Sequence, residues 1–397
     1  MASYKPSSEI IPFAKATEIK RLDANTYQAN LVDSFCIGAG KYPFIFRTSN
    51  SPNITNNLTV PNGGYVASCI LQAAIIHGTS RSPSNPQPHV MNAHFEYLNR
   101  TQVGPATILI EDVKPGRQLT TLHATLYQGN SHQDDTSTSN SDLLPTKTLG
   151  NMKKRVTAYL VMTNLSSLTG LSLNTQFTLL PPPLVPSSSP SQNPDFSLLK
   201  QDRDPHWTTI PSLLPLGSES GSGSSYIRAL QNTHFYIPRR GQVRKSIIDI
   251  WIRLSSGENF TNASLGYVSD CWPYVVEAYR PRSKEEEENN AKEEEEEDGV
   301  GFKHDAKHWY PTVVMNVEQK KAAPEKGKEE EGGGGWEWLR MRVSSKEVKG
   351  GRFDLEVLVM DEKGELVVVS NHVGLVLGSE RNLAGRGKGG MKGQSRI

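Results

Sequence analysis

Apolar residues recur along this chain in two rhythms, and both rhythms return in the same order in its second half. After the pair Gly63-Gly64, nearly every residue over 65–77 is apolar or small, with Val66, Cys69, Ile70, Ala73, Ala74 and His77 at helical spacing. A helix that is apolar on most sides is one the fold buries. Runs rich in β-branched and aromatic residues predict strands around it at 26–37, 89–98, 106–113, 119–127 and 156–162. Pro115-Gly116 supplies a turn between two of them. The second half predicts strands at 246–253, 312–318, 337–344, 352–361 and 365–377, with a helix-like segment over 262–279 and a turn at 361–364. An apolar helix followed by long antiparallel strands, made twice, predicts an α+β protein whose sheets wrap central helices.

The duplication can be followed residue by residue. Gly64-Tyr65-Val66-Ala67-Ser68-Cys69 returns 202 positions later as Gly266-Tyr267-Val268-Ser269-Asp270-Cys271. Four of the six residues are identical, and only the change from Ser68 to Asp270 alters the chemistry. A proline opens the next strand in each copy, Pro88 in the first and Pro311 in the second, which places His89 beside Thr312 in the alignment. Two copies imply a duplicated domain rather than a solenoid, with one half holding an ionisable group that the other lacks.

The resulting organisation is a weakly ordered lead-in over 1–24 and a first domain over 25–165. A Pro/Ser/Gly-rich connection follows over 166–228, then a second domain over 229–382 with acidic insertions at 284–298 and 320–335. A basic, Gly-rich tail covers 383–397. Within the connection, a small insertion element around 207–214 stays open. Like-charge runs repel and read as solvated loops.

Composition changes this picture little. The 397 residues carry 43 basic and 42 acidic side chains, a net charge of +1, so no strong field favours nucleic acid or an acidic membrane. Three cysteines without CxxC spacing argue against a disulfide framework or structural zinc, and no metal or cofactor is expected. The first 20 residues lack an apolar signal core, and no stretch of about 20 apolar residues could span a bilayer. The expectation is a soluble, cytoplasmic protein.

Four stretches carry a family resemblance: Val60-Pro61-Asn62-Gly63-Gly64-Tyr65-Val66-Ala67-Ser68; His94-Phe95 with Gly116-Arg117 ahead of a β segment ending Tyr127-Gln128; Gly266-Tyr267-Val268-Ser269-Asp270; and 366–377. In order and spacing the chain resembles the double hot-dog acyl-CoA thioesterases (type II, thioesterase-like superfamily) over about 25–165 and 230–380. The resemblance implies a tandem hot-dog fold, each half an antiparallel sheet around a long central helix. It also implies hydrolysis of an acyl-CoA or related acyl thioester to free acid and thiol.

In that family an Asp near the start of the second helix, a Thr or Ser on the following strand and a Gln on the last strand hold the catalytic water. These positions fall on Asp270, Thr312 and His372, the last a departure from Gln. A neutral His can orient a water as an amide does, and can also take a proton. The implied roles are Asp270 as general base, with Thr312 and His372 positioning the water. Gly63, Gly64 and Gly266 would contact substrate, their helix-end amides facing a developing oxyanion. Arg117, Arg239, Arg240 and Lys245 are candidates for coenzyme A phosphates.

Plainer readings stand beside these. Asp270 could cap a helix, and His89, His94 and His372 could pack as ordinary strand residues. A non-catalytic acyl-thioester-binding or scaffold protein on the same fold is the alternative. A hydratase would need a His/Asp motif beside the helix that the chain lacks. The expected partner is an acyl-CoA or acyl thioester, without nucleic acid or stable membrane insertion; a homodimer stays open. The final Ser395-Arg396-Ile397 resembles the peroxisomal Ser-Lys-Leu address, with Arg for Lys and Ile for Leu.

Overall fold

The computed structural model describes residues 10–37, 60–129, 150, 152–184, 193–210, 228–279, 308–325 and 334–378. In chain order the first half contains α1 (Phe13–Ala16), β1 (Ile19–Arg21), β2 (Thr26–Leu31), β3 (Cys36–Ile37), β4 (Val60–Pro61), α2 (Gly63–Arg81), β5 (His89–Tyr97), β6 (Gly104–Lys114), β7 (Thr120–Gln128) and β8 (Lys153–Thr163). The second contains α3 (Phe196–Lys200), β9 (Trp207–Thr209), β10 (Thr233–Pro238), β11 (Ile247–Leu254), α4 (Leu265–Asp270), β12 (His308–Trp309), β13 (Thr312–Gln319), β14 (Leu339–Ser344), β15 (Val348–Lys349), β16 (Arg352–Met360), β17 (Leu366–Leu375) and β18 (Leu377–Gly378).

Fourteen strands form one sheet in the order β1-β2-β6-β7-β8-β5-β13-β17-β16-β14-β11-β10-β9, with β15 added beside β16. The two halves join where β5 and β13 pair antiparallel, Val314 opposite Glu96 through Glu318 opposite Asn92. At the middle of this seam His94 Nδ1 and Asn316 Oδ1 lie 2.7 Å apart. Both seam strands carry an irregularity at the same place, between Val90 and Asn92 and between Thr312 and Val314. Matching the halves on these irregularities makes Val90 the counterpart of Thr312. The proline landmark had placed His89 there, one residue off. On the same match Leu160, opposite Ala93, corresponds to His372, opposite Met315.

Inside the first half lies α2, capped by the Asn62 side chain, which accepts from the Tyr65 N–H at 2.9 Å. Gly64 through Leu71 are all buried, as are Ala73, Ala74, His77 and Gly78. The second helix is much shorter than the segment 262–279 suggested. It ends at Asp270, and a 3₁₀ stretch, Pro273–Tyr279, follows. Pro273 has no N–H to offer the carbonyl of Ser269, and its ring opposes α geometry in the preceding residue. The tandem hot-dog is present, with one long central helix and one truncated.

Two segments expected to be loosely held belong to the packed structure. In the lead-in, Phe13 and Ala16 of α1 are buried, and the Phe13 ring sits 5.5 Å from Phe35 and 5.4 Å from Tyr267. The free N–H groups of Phe13 and Ala14 donate to the Glu258 carboxylate, and β1 extends the sheet. One aromatic anchor is enough to order a segment that composition alone marks as polar. Within the connection, β9 pairs with β10 at the edge of the sheet, and Phe196 of α3 packs on the outer face of the second half, where Leu199, Trp207, Tyr236, Trp251 and Trp338 form a separate cluster. The acidic run 284–298 and the tail 383–397 lie outside the described residues, as does 326–333 of the second insertion.

On that same outer face Asp249, fully buried, accepts two 2.8 Å hydrogen bonds from Arg342 directly across the β11–β14 ladder. Arg340 lies 3.6 Å from the same carboxylate, and burial pushes its pKa down. Removing the shared carboxylate leaves two buried guanidinium groups without their anion. Asp249→Ala is therefore expected to cost about 3–5 kcal/mol. Urea unfolding followed by tryptophan fluorescence checks this, and a midpoint near the wild type would contradict it.

Candidate active site

Where α2 and α4 meet, their first turns touch backbone to backbone. A Cβ built on Gly64 would lie 2.6 Å from the Gly266 carbonyl oxygen and 2.7 Å from Asp270 Cβ. No side chain fits there, so Gly64 is a steric requirement of this crossing, while a Cβ on Gly266 would make tight contacts of 3.0–3.1 Å with Ser68 and Leu71. The contact is reciprocal. The Gly64 N–H donates to Asp270 Oδ2 at 2.7 Å, while the Tyr267 N–H donates to Ser68 Oγ at 2.9 Å. Asp270 and Ser68, equivalent in the repeat, each cap the other half's helix. The positive end of a 19-residue helix favours the Asp270 charge.

The other carboxylate oxygen, Asp270 Oδ1, accepts from the Thr312 hydroxyl at 2.7 Å. Thr312 is the first residue of β13, beside the bulge. His372 reaches the same oxygen from β17, with Nδ1 at 3.6 Å. Its tautomer follows from counting hydrogens. Ser370 spends its one hydroxyl proton on the Asn316 carbonyl at 2.6 Å, so at 2.9 Å it accepts from His372 Nε2. Neutral His372 therefore carries its proton on Nε2 and presents the Nδ1 lone pair toward Asp270. That Nδ1 has no hydrogen-bond partner in the protein and is shut off from solvent.

Tyr97, at the end of β5, closes the fourth side. Its hydroxyl donates to the Gly63 carbonyl at 3.0 Å. Burial, and then the Asp270 charge, hold its pKa well above the ordinary phenol value, so it stays a protonated donor. A Cβ on Gly63 would come within 2.9 Å of Asp270 Oδ2.

Of the residues singled out in the sequence, Asp270, Thr312, His372, Gly63 and Gly64 thus converge on one carboxylate. Gly266 lies in the crossing, where a Cβ would come 3.0 Å from the Ser68 nitrogen. His89 is elsewhere, accepting from the Leu165 N–H at 3.1 Å. Arg239 follows β10, near the far edge of the sheet from the seam, and donates to the Asp204 carbonyl. Ser370 and Tyr97 were not singled out. Ser370 shares a strand face with His372 two residues on, a signal too common among strand hydroxyls to stand out. Tyr97 carried no distinguishing pattern. Among the described residues, no three His, Cys, Asp or Glu side chains are grouped to hold a metal, and no helix is long and apolar enough to cross a membrane.

The architecture is that of a double hot-dog protein, a class that carries acyl thioester hydrolysis. Residues 199–376 match the family model for the acyl-CoA thioesterase C-terminal domain, and 52–140 match that for the N-terminal domain. The thioesterase-like protein TwmA of Talaromyces wortmannii is 39% identical over 393 residues, covering 96% of this chain and 97% of its own. The chain belongs to the acyl-CoA thioesterase family. Among solved structures it is similar in fold to a hot-dog protein of unknown function from Alicyclobacillus acidocaldarius, at TM-score 0.53 and 14% identity over 92% of this chain and 97% of that one. A candidate thioesterase II from Thermobifida fusca YX gives TM-score 0.52 and 18% identity over 93% and 99%.

Because the missing Cβ of Gly64 would strike backbone, Gly64→Ala must push the two helices apart. The expected cost is about 1–3 kcal/mol, as for overpacked cores, with loss of the Gly64–Asp270 hydrogen bond. Thermal unfolding together with turnover checks both effects. An Ala variant as stable and active as the wild type would mean the crossing is looser than described.

Proposed function

We propose that this protein hydrolyses an acyl-CoA or related acyl thioester by a water activated at Asp270. The observation that carries the reading is the pair of acceptors facing each other there, Asp270 Oδ1 and the His372 Nδ1 lone pair, 3.6 Å apart. To donate one hydrogen to each, a water must enter the space beside His372 Nδ1, which is closed in this structure; it would then turn its own lone pair outward to a thioester carbonyl. Thr312 occupies another acceptor position of Oδ1, and Gly64 holds Oδ2, so the carboxylate is oriented from both sides.

The water oxygen bonds to the carbonyl carbon as its proton passes to Asp270. The carbonyl becomes an oxyanion, for which the Gly63 N–H in the first turn of α2 is the candidate donor. When the intermediate collapses, the carbon–sulfur bond breaks and Asp270 returns the proton to the departing thiolate. His372 acts as a positioning group in place of the family's Gln. Cytoplasmic residence, peroxisomal delivery through Ser395-Arg396-Ile397, a role in lipid metabolism and a homodimer are further parts of this reading. They rest on sequence alone, and the terminal tripeptide lies outside the described residues.

Thiol release from short, medium and long acyl-CoAs tests the assignment. Asp270→Asn should lower kcat by about 10²–10⁴-fold, the range for a positioned acid–base group. Thr312→Val should lower it by about 5–30-fold, since only one hydrogen bond to the carboxylate is lost. His372→Gln should keep most of the activity, whereas His372→Phe should lose it, because only Gln restores an acceptor. Undiminished turnover in Asp270→Asn would place the water elsewhere. No turnover of any thioester by the wild type would favour a binding protein.

A further inference from the structure

The seam gives the molecule an approximate twofold relation, so the Asp270 cleft has a mate. Its chemistry is erased: Ser68, Val90 and Leu160 stand where Asp270, Thr312 and His372 stand in the first. At the mouth of this mate there is a cavity of about 480 Å³. Its position follows from the match between halves. His89 on its wall immediately precedes Val90, and Asn262 is bonded to Gln319, the counterpart of Tyr97.

The walls are polar, and three of their side chains have fixed orientations. His89 Nδ1 accepts from the Leu165 N–H, which leaves the proton of the neutral ring on Nε2. Burial lowers the His89 pKa, keeping the ring neutral. Asn262 Oδ1 accepts from Gln319 Nε2 at 2.6 Å and from the Ala323 N–H at 2.8 Å, so its amide nitrogen points away from both. Asn164 Oδ1 accepts from the Ser166 N–H at 3.1 Å, which leaves its NH₂ group without a bond to the described residues. Ser166 and Thr261 add hydroxyls at an exposed rim. The outcome is a set of pre-oriented neutral donors, with one carboxylate, Glu325, at the edge and neither Lys nor Arg among the described lining residues.

We propose that this mate cleft is a second, non-hydrolytic binding site for a neutral, amide-bearing chain, the pantetheine arm of an acyl thioester. The donors suit its amide carbonyl oxygens, and Glu325 can accept from an amide N–H. The same carboxylate, without a cation beside it, disfavours the phosphates of coenzyme A. The choice of ligand rests on the acyl-thioester reading of the chain, but binding here requires neither Asp270 nor turnover.

The test uses the full-length wild type and an amide analogue of octanoyl-pantetheine, in which nitrogen replaces the thioester sulfur. Calorimetric titration should show a site that Thr261→Trp and Ser166→Trp each weaken at least tenfold and that Asp270→Asn leaves unchanged. Neither rim side chain makes a hydrogen bond within the described residues, so both variants block the cavity without removing a structural contact. The analogous coenzyme A amide should fill that site at least tenfold more weakly. Pantetheine-analogue binding equal in wild type and both Trp variants overturns the proposal, as does equal filling by the coenzyme A form. Thioesterase activity lost in Asp270→Asn but kept in the Trp variants belongs to the other cleft, so the two readings can fail separately.

Discussion

Everything in this molecule depends on two helix ends being able to touch. The Gly64 and Gly266 backbones approach so closely that a methyl added at Gly64 would lie 2.6 Å from the Gly266 carbonyl oxygen. Only at that distance can the side chain of Asp270 reach across and cap a helix belonging to the other half. The same crossing seats Tyr267 on Ser68 and holds β5 and β13 edge to edge. Hydrophobic burial supplies most of the stability of each half. It is the glycine contact that sets how the halves face one another.

One consequence is that the proposed site is composite. The second half provides Asp270, Thr312, His372 and Ser370. The first provides the helix end at Gly63-Gly64 and the Tyr97 hydroxyl. Neither half alone engages both oxygens of Asp270, since Gly64 of the first holds Oδ2 and Thr312 of the second holds Oδ1. The mate cleft lies across the same helix crossing but has Ser68 and the apolar Val90 and Leu160 at the positions of Asp270, Thr312 and His372, so only one of the two clefts holds a candidate acid–base group.

Much of the fold was legible because its signals are local. The buried helix showed through its lack of a polar face, and the strands from His89 to Thr163 showed through alternation and turn residues. The second helix is shorter than its pattern predicts, because Pro273 interrupts a segment, 262–279, that otherwise reads as helical. Thr233–Pro238 escaped notice for a different reason. Phe235 faces the main core while Tyr236 is covered by the connection, so a strand buried on both faces has no alternation to read. At the site, Asp270 is legible through its contrast with Ser68 in the repeat and through the family resemblance. The lone pair of His372 could not be read from sequence at all, since it depends on Ser370 and the Asn316 carbonyl meeting in three dimensions.

The pair at the centre of the seam has a meaning for the history of such a chain. In a dimer of identical subunits, a residue on the twofold axis must face its own copy, so histidine would meet histidine. Here His94 meets Asn316, an arrangement that a symmetric dimer could not place on its axis. Joining the two halves in one polypeptide freed each position to change without its twin. That freedom extends outward from the seam to the clefts, where one half could shed a carboxylate while the other kept it.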